Sequence, residues 1–165
     1  MEVWDAYKHD GSFAGCDLIR GETISDGLFH LVCEVLVKHK DGSYLLMQRD
    51  YEKESDPGMF EATAGGSALK GESPVSAAIR ELREETGIIA GKLTQIGGRI
   101  SYNRHALLYQ FLCVTDCDKA AIALQQGETI SYKWVSKDEF LKFMDSDECI
   151  PEQKNRLAAY LNSIR

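Results

Sequence analysis

The sequence predicts an α/β sandwich, strands covered by helices with a β-hairpin at the N-terminal end, and three observations carry that prediction. Asp-Gly pairs at Asp10-Gly11 and Asp41-Gly42 stand beside apolar runs, as tight hairpin turns do. Several strand-like runs are apolar almost throughout, as strands covered on both faces must be. Helix-start signals recur between and after those runs, so helices are available to do the covering.

In chain order, "VWDAY" followed by "KHDGS" reads as a strand entering the Asp10-Gly11 turn, and "HLVCEVLVKHKDGSYLLMQR" as two strands joined around Asp41-Gly42. Ser73 offers an N-cap and Pro74 a first-turn proline. Val75, Ala78, Ile79 and Leu82 then follow at helical spacing and define one apolar stripe. Gly87 ends this helix at Thr86, because glycine tolerates the left-handed conformation that commonly closes a helix. "LTQIGGRIS" and "HALLYQFLCVT" form a further strand pair, and "TISYKWVS" a later strand. Ser136 with Glu139 makes a capping box before "FLKFM", and Pro151 opens a final helix with Leu157, Tyr160, Leu161 and Ile164 on one side. No repeat, low-complexity tract or linker divides the chain, so residues 1–165 are expected to form one domain.

A net charge of −7 and a pI near 5.1 argue against a nucleic-acid-coating surface, which needs a basic footprint, and point to a small-molecule partner. No apolar run approaches a membrane span, and "MEVWDAYKHDG" lacks the order of a signal peptide, so a cytoplasmic protein with no membrane partner is expected. A homodimer is compatible with these properties. The 5 cysteines are odd in number and contain no C-x-x-C pair, which signals neither a disulfide framework nor a zinc site; most of them read as core thiols.

The segment "AAIRELREETG" poses an electrostatic question. Glu81 faces both Glu84 and Glu85 across one helical turn, and all three crowd the helix end where negative charge opposes the macrodipole. They share an arc beside the apolar stripe, flanking buried structure without entering it. A solvated face, helped by an Arg80–Glu84 pair, is the plain reading. The spacing supports another: hard divalent cations take carboxylate oxygens, and a bound ion would relieve the repulsion.

The stretch "GSALKGESPVSAAIRELREETGI" resembles the Nudix box G-x5-E-x7-R-E-U-x-E-E-x-G-U at every fixed position: Gly66, Glu72, Arg80, Glu81, Leu82, Glu84, Glu85, Gly87 and Ile88. The resemblance implies a Nudix-type α/β/α sandwich with a mixed sheet between helices and an N-terminal β-hairpin extension, with the box as loop, helix and loop. It implies hydrolysis of a pyrophosphate linkage in a nucleoside diphosphate-linked or related diphosphate substrate, assisted by Mg²⁺ or Mn²⁺. It further implies Glu81, Glu84 and Glu85 with the Gly66 carbonyl as metal ligands, Glu72 orienting or assisting the set, and Arg80 fixing the carboxylates. Glu81 is the leading general base. Glu128, in "QQGETISYKWVS", stands where many relatives place another acid that serves as ligand or base.

Other stretches narrow the branch. "VWDAYKHDGSFAG", "GLFHLVCEVLV", "LLMQRD" with Lys53, and "PGMFEATAGGSAL" resemble Nudix proteins related to isopentenyl-diphosphate isomerase. That isomerase uses a cysteine just before its box-like loop, where this chain has Gly65, so isomerisation is the disfavoured alternative. A non-catalytic nucleotide-binding Nudix module is the other, and an intact box argues against it. The proline that many ADP-ribose hydrolases carry beyond the box is missing, and Tyr102 and Tyr109 miss the spacing of the dinucleoside-polyphosphate group. The leaving group therefore stays open. His30, His105 and Trp134 read as structural.

Overall fold

The computed structural model describes residues 1–165. Strands β1 (Val3–Tyr7) and β2 (Phe13–Ile19) form the antiparallel N-terminal hairpin, a two-stranded sheet of its own. Its turn is held by the Asp10 carboxylate, which accepts the Ser12 amide at 2.9 Å, and by Gly11 at a φ of 82°, a conformation that favours glycine.

β3 (His30–His39) is the central strand of the main sheet. It runs parallel to β8 (Ala106–Thr115) and antiparallel to β6 (Thr63–Ser67), the latter from Val32↔Ser67 to Leu36↔Thr63. β4 (Tyr44–Arg49) meets β3 in the ladder at Lys38↔Tyr44, beside the expected Asp41-Gly42 turn, and then pairs with β5 (Phe60–Glu61) and β9 (Thr129–Val135). β7 (Leu93–Ser101) pairs antiparallel with β8. One parallel pair among antiparallel ones makes the sheet mixed.

The sequence reading put Gly66 in a loop; it lies in β6 instead. "TAGGS" carries little strand propensity of its own, and its extended form comes from the edge that β3 offers it.

Helix α1 (Pro74–Thr86) covers one face and α2 (Lys137–Met144), α3 (Pro151–Arg156) and α4 (Ala158–Ile164) the other, an α/β/α sandwich. β3 serves both layers by alternation: Leu31, Cys33, Val35 and Val37 join Ala77, Ala78 and Leu82, while Leu36 joins Phe140, Met144, Leu157 and Leu161. The expected caps form: Ser73 accepts the Ser76 amide, Ser136 and Glu139 close their capping box, and Gly87 is left-handed at φ 73°.

Two expectations change. Val75 and Ile79 are exposed, and α1 buries Ala77, Ala78, Leu82, Glu85 and Thr86. The alanines let the helix lie close against glycine-rich β6, which rotates the buried stripe toward Glu85. The final helix is broken at Leu157, whose φ and ψ of −94° and 7° leave the helical region. Gln153 Oε1 on α3 accepts the Ala62 amide at 3.0 Å, whereas α4 follows Leu157, Tyr160 and Leu161 into the core, so the two halves answer to different partners.

The hairpin is latched onto the loop before α1. Val3 O accepts the Lys70 amide at 2.9 Å, the Asp5 carboxylate accepts the Gly71 amide at 2.7 Å, and Lys70 pairs with Asp17 at 2.6 Å.

Candidate active site

β6 brings Gly66 beneath the helix that carries the acids. A Cβ on Gly66 would stand 2.6 Å from Glu81 Oε1, so only glycine lets this carboxylate settle on the strand. Arg80 organises the cluster. It donates to both Glu72 oxygens at 2.8 Å, to Glu81 at 2.7 Å, to Glu84 at 3.2 Å and to Ser67 O at 3.1 Å. Glu72 also accepts the Leu69 amide at 2.8 Å, and the Arg80 bonds hold its carboxyl below the ordinary range. Burial pushes the Glu81 carboxyl up, against the opposing pull of Arg80.

Glu85 departs from the sequence reading: at 8 % exposure it enters buried structure, accepting the Gly65 amide at 3.3 Å. Its proton affinity is raised well above normal by burial, and then by the neighbouring charges of Glu61, Glu81 and Glu128. Glu128 lies across the cavity in an ion pair with Lys53.

Gly66, Arg80, Glu81, Glu84, Glu85 and Glu128, but not Glu72, border a cavity of about 1410 Å³ whose wall is mostly polar. Its cations are largely neutralised in place: Arg20 by Glu2, Arg49 by Glu61, Lys53 by Glu128, and Arg156 by Glu34. The hairpin contributes Glu2, Trp4 and Arg20 to one end, next to His30 and Arg104.

The donor set suits a hard divalent cation: carboxylates and a peptide carbonyl, with an uncompensated buried acid in Glu85. No three carboxylates, imidazoles or thiols converge on one point, since Arg80 draws Glu81 and Glu84 to itself.

The profile of the NUDIX domain matches residues 29–153. The chain belongs to the NUDIX family. The Nudix hydrolase lmo0368 of Listeria monocytogenes is 34% identical over 152 residues, covering 92% of this chain and 89% of that protein. The Nudix hydrolase YfcD of Escherichia coli is 28% identical over 136 residues, covering 81% and 73%. Among solved structures, DR0079 of Deinococcus radiodurans shares the fold at a TM-score of 0.70 and 15% identity, covering 88% and 90%. The NUDIX domain of Shewanella oneidensis NrtR, solved with ADP ribose, shares it at 0.63 and 13%, covering 90% and 94%.

This Nudix hydrolase belongs to a family that acts on nucleoside diphosphate derivatives and generally uses divalent metal ions. Its fold gathers the box residues Gly66, Glu72, Arg80, Glu81, Glu84 and Glu85 at one end of α1 and β6, and sets Glu128 on the same cavity. The sequence reading passed over Glu34 and Glu61. Glu34 had a signal, a lone charge inside the apolar run "HLVCEVLV"; it is buried against Arg156 and Gln110. His105, by contrast, holds the Leu28 carbonyl at 3.1 Å, and Trp134 packs on the α1 core, both as expected.

Proposed function

We propose that residues 1–165 form one cytoplasmic Nudix domain that cleaves a pyrophosphate linkage in a nucleoside diphosphate-linked small molecule, with Mg²⁺ or Mn²⁺ required. The observation that carries this reading is the Glu81 carboxylate seated over Gly66 and tied to Arg80. Gly66 O, Glu81, Glu84 and Glu85 would hold the ion. When bound, it supplies Lewis-acid polarisation of the phosphoryl oxygens and a more acidic water. Glu81, whose burial keeps its proton affinity high, takes the proton of the attacking water as general base. Arg80 and Glu72 hold that carboxylate in position. Glu128, across the cavity, is the second acid able to serve as ligand or base.

Isomerisation is disfavoured. A Cβ at residue 65 would stand 2.1 Å from Cys33 O, so the backbone has no room there for the isomerase's cysteine. The neighbouring Cys33 thiol is buried, pushed up to about 12, and so is no substitute.

The deciding experiment incubates the chain with a panel of nucleoside diphosphate derivatives, ADP-ribose among them, with Mg²⁺ or Mn²⁺, and resolves the products. Release of phosphorylated fragments from a panel member is expected. A panel left intact under both metals would refute the reading.

A further inference from the structure

The hairpin end of the cavity has features that the hydrolysis itself does not use. Residues 1–28 precede the matched family domain, so Glu2, Trp4 and Arg20 of this wall lie outside that match, while His30 and Arg104 lie within it. Trp4 is stacked on His30 with ring centroids 4.2 Å apart and planes 13° from parallel. With Trp4 buried and that face covered, the wall offers little indole surface for a nucleobase to stack on. What it offers is charge.

Arg104, in the turn between β7 and β8, lines this end and has no carboxylate partner, although the other arginines and the lysine of the cavity each have one. His30 lies beside it, 8 % exposed, with Nδ1 buried from solvent and its ring next to the Arg104 backbone. Burial holds its ring neutral, lowered to about 4, against the opposing pull of a hydrogen bond to the Arg104 backbone; the Arg104 charge adds to the lowering. Arg20, bonded to Glu2 at 2.8 Å, completes the wall. Arg104 is thus the one cation of the cavity left free for an anion, with a neutral imidazole beside it.

We infer that Arg104, with His30 and Arg20, forms a subsite for a phosphate group that the substrate carries beyond the diphosphate that is cut. The guanidinium fork matches phosphate oxygens in pairs, and a neutral imidazole can donate without adding charge. The inference rests on the diphosphate-hydrolase reading of the same cavity, and its test is separable from that reading.

Equilibrium binding to the full chain is measured in EDTA, where metal-dependent turnover is off. The probes are two matched pairs, ADP-ribose against ADP-ribose 2′-phosphate and NADH against NADPH. The wild type should bind each phosphorylated member about tenfold or more tightly than its partner, the worth of one charge-assisted bond. Arg104→Ala should erase that preference and leave the affinity for the unphosphorylated members unchanged; Arg104→Lys should keep part of it. Arg104 is exposed, so both variants should retain the wild-type melting temperature. Equal affinities within both pairs, a preference that survives Arg104→Ala, or no millimolar binding of either phosphorylated member would overturn the subsite. If the preference appears but no diphosphate is cut with either metal, the hydrolase reading fails and the subsite stands; cleavage without the preference means the reverse.

Discussion

Glu81 and Leu82 are neighbours on α1 that should respond oppositely to substitution. Leu82 is fully buried among Cys33, Val35, Ala78 and Phe111, at 0% exposure. Leu82→Ala should therefore cost about 2–5 kcal/mol through lost burial and a cavity. For a chain of this length each kcal/mol lowers Tm by about 2–4 °C, so a drop of roughly 4–20 °C is expected. Molecules still folded should turn over normally. Glu81→Gln keeps the shape and an acceptor for the Arg80 bond but removes the charge. The raised proton affinity of Glu81 means that its surroundings already favour a neutral group, with burial first and the charges of Glu84 and Glu2 adding to it. Metal-free stability should hold or rise by a few tenths of a kcal/mol, while turnover falls roughly a hundredfold. Calorimetry in EDTA and initial rates on the best substrate of the panel read both axes. Near-normal turnover of Glu81→Gln would refute the role given to Glu81, and an unchanged Tm for Leu82→Ala would refute the packing.

Three further outcomes are expected. Millimolar Mg²⁺ or Mn²⁺ should raise stability by about 2.7 kcal/mol at a hundredfold excess over Kd and EDTA should reverse it, so a flat melting titration counts against a metal site. Because burial lowers the folded His30 to about 4 from an ordinary 6.5, the unfolded chain binds the extra proton first as pH falls; His30 alone should take about 3 kcal/mol from metal-free stability between pH 7 and 4, opposed by Glu81 and Glu85, whose raised proton affinities favour the folded chain in the same window. Urea unfolding should show that slope flattened in His30→Phe, and identical slopes would remove the assignment. Gly65→Cys should weaken the fold by about 1–3 kcal/mol through overpacking against Cys33 O and should not interconvert isopentenyl and dimethylallyl diphosphate; isomerase turnover by this variant or the wild type would reverse the ranking of reactions.

The turns, the caps of α1 and α2 and the long apolar strands were legible because each rests on local chemistry: Asp-Gly at 10–11 and 41–42, Ser73, Ser136 and Gly87 all act within a few residues. The box gave its acids and Arg80 by spacing. What local pattern could not give is rotation and pairing. The turn of α1 that exposes Ile79 and buries Glu85 depends on how closely two alanines approach a strand distant in sequence. β6 is a strand through its partner, and the break at Leu157 reflects a bond from Gln153 to Ala62 that no periodicity records. Arg104 was illegible for the same reason: a cation without a partner is visible only once every possible partner has a position.

The latch between hairpin and box loop bears on how this enzyme can change over evolutionary time. Glu2, Trp4 and Arg20, on or flanking the two hairpin strands, face the cavity, while Val3, Asp5 and Asp17 hold Lys70 and Gly71, next to Glu72. One end of the cavity wall and the seating of the box loop are thus inherited on one short segment. A hairpin exchanged between relatives brings its own contacts to that loop, so a new specificity must arrive with compatible residues at 3, 5, 17 and 70. An engineer who trims the N-terminal end to the start of the matched family domain would remove Glu2, Trp4 and Arg20 from the cavity together with the hairpin's hold on the box loop.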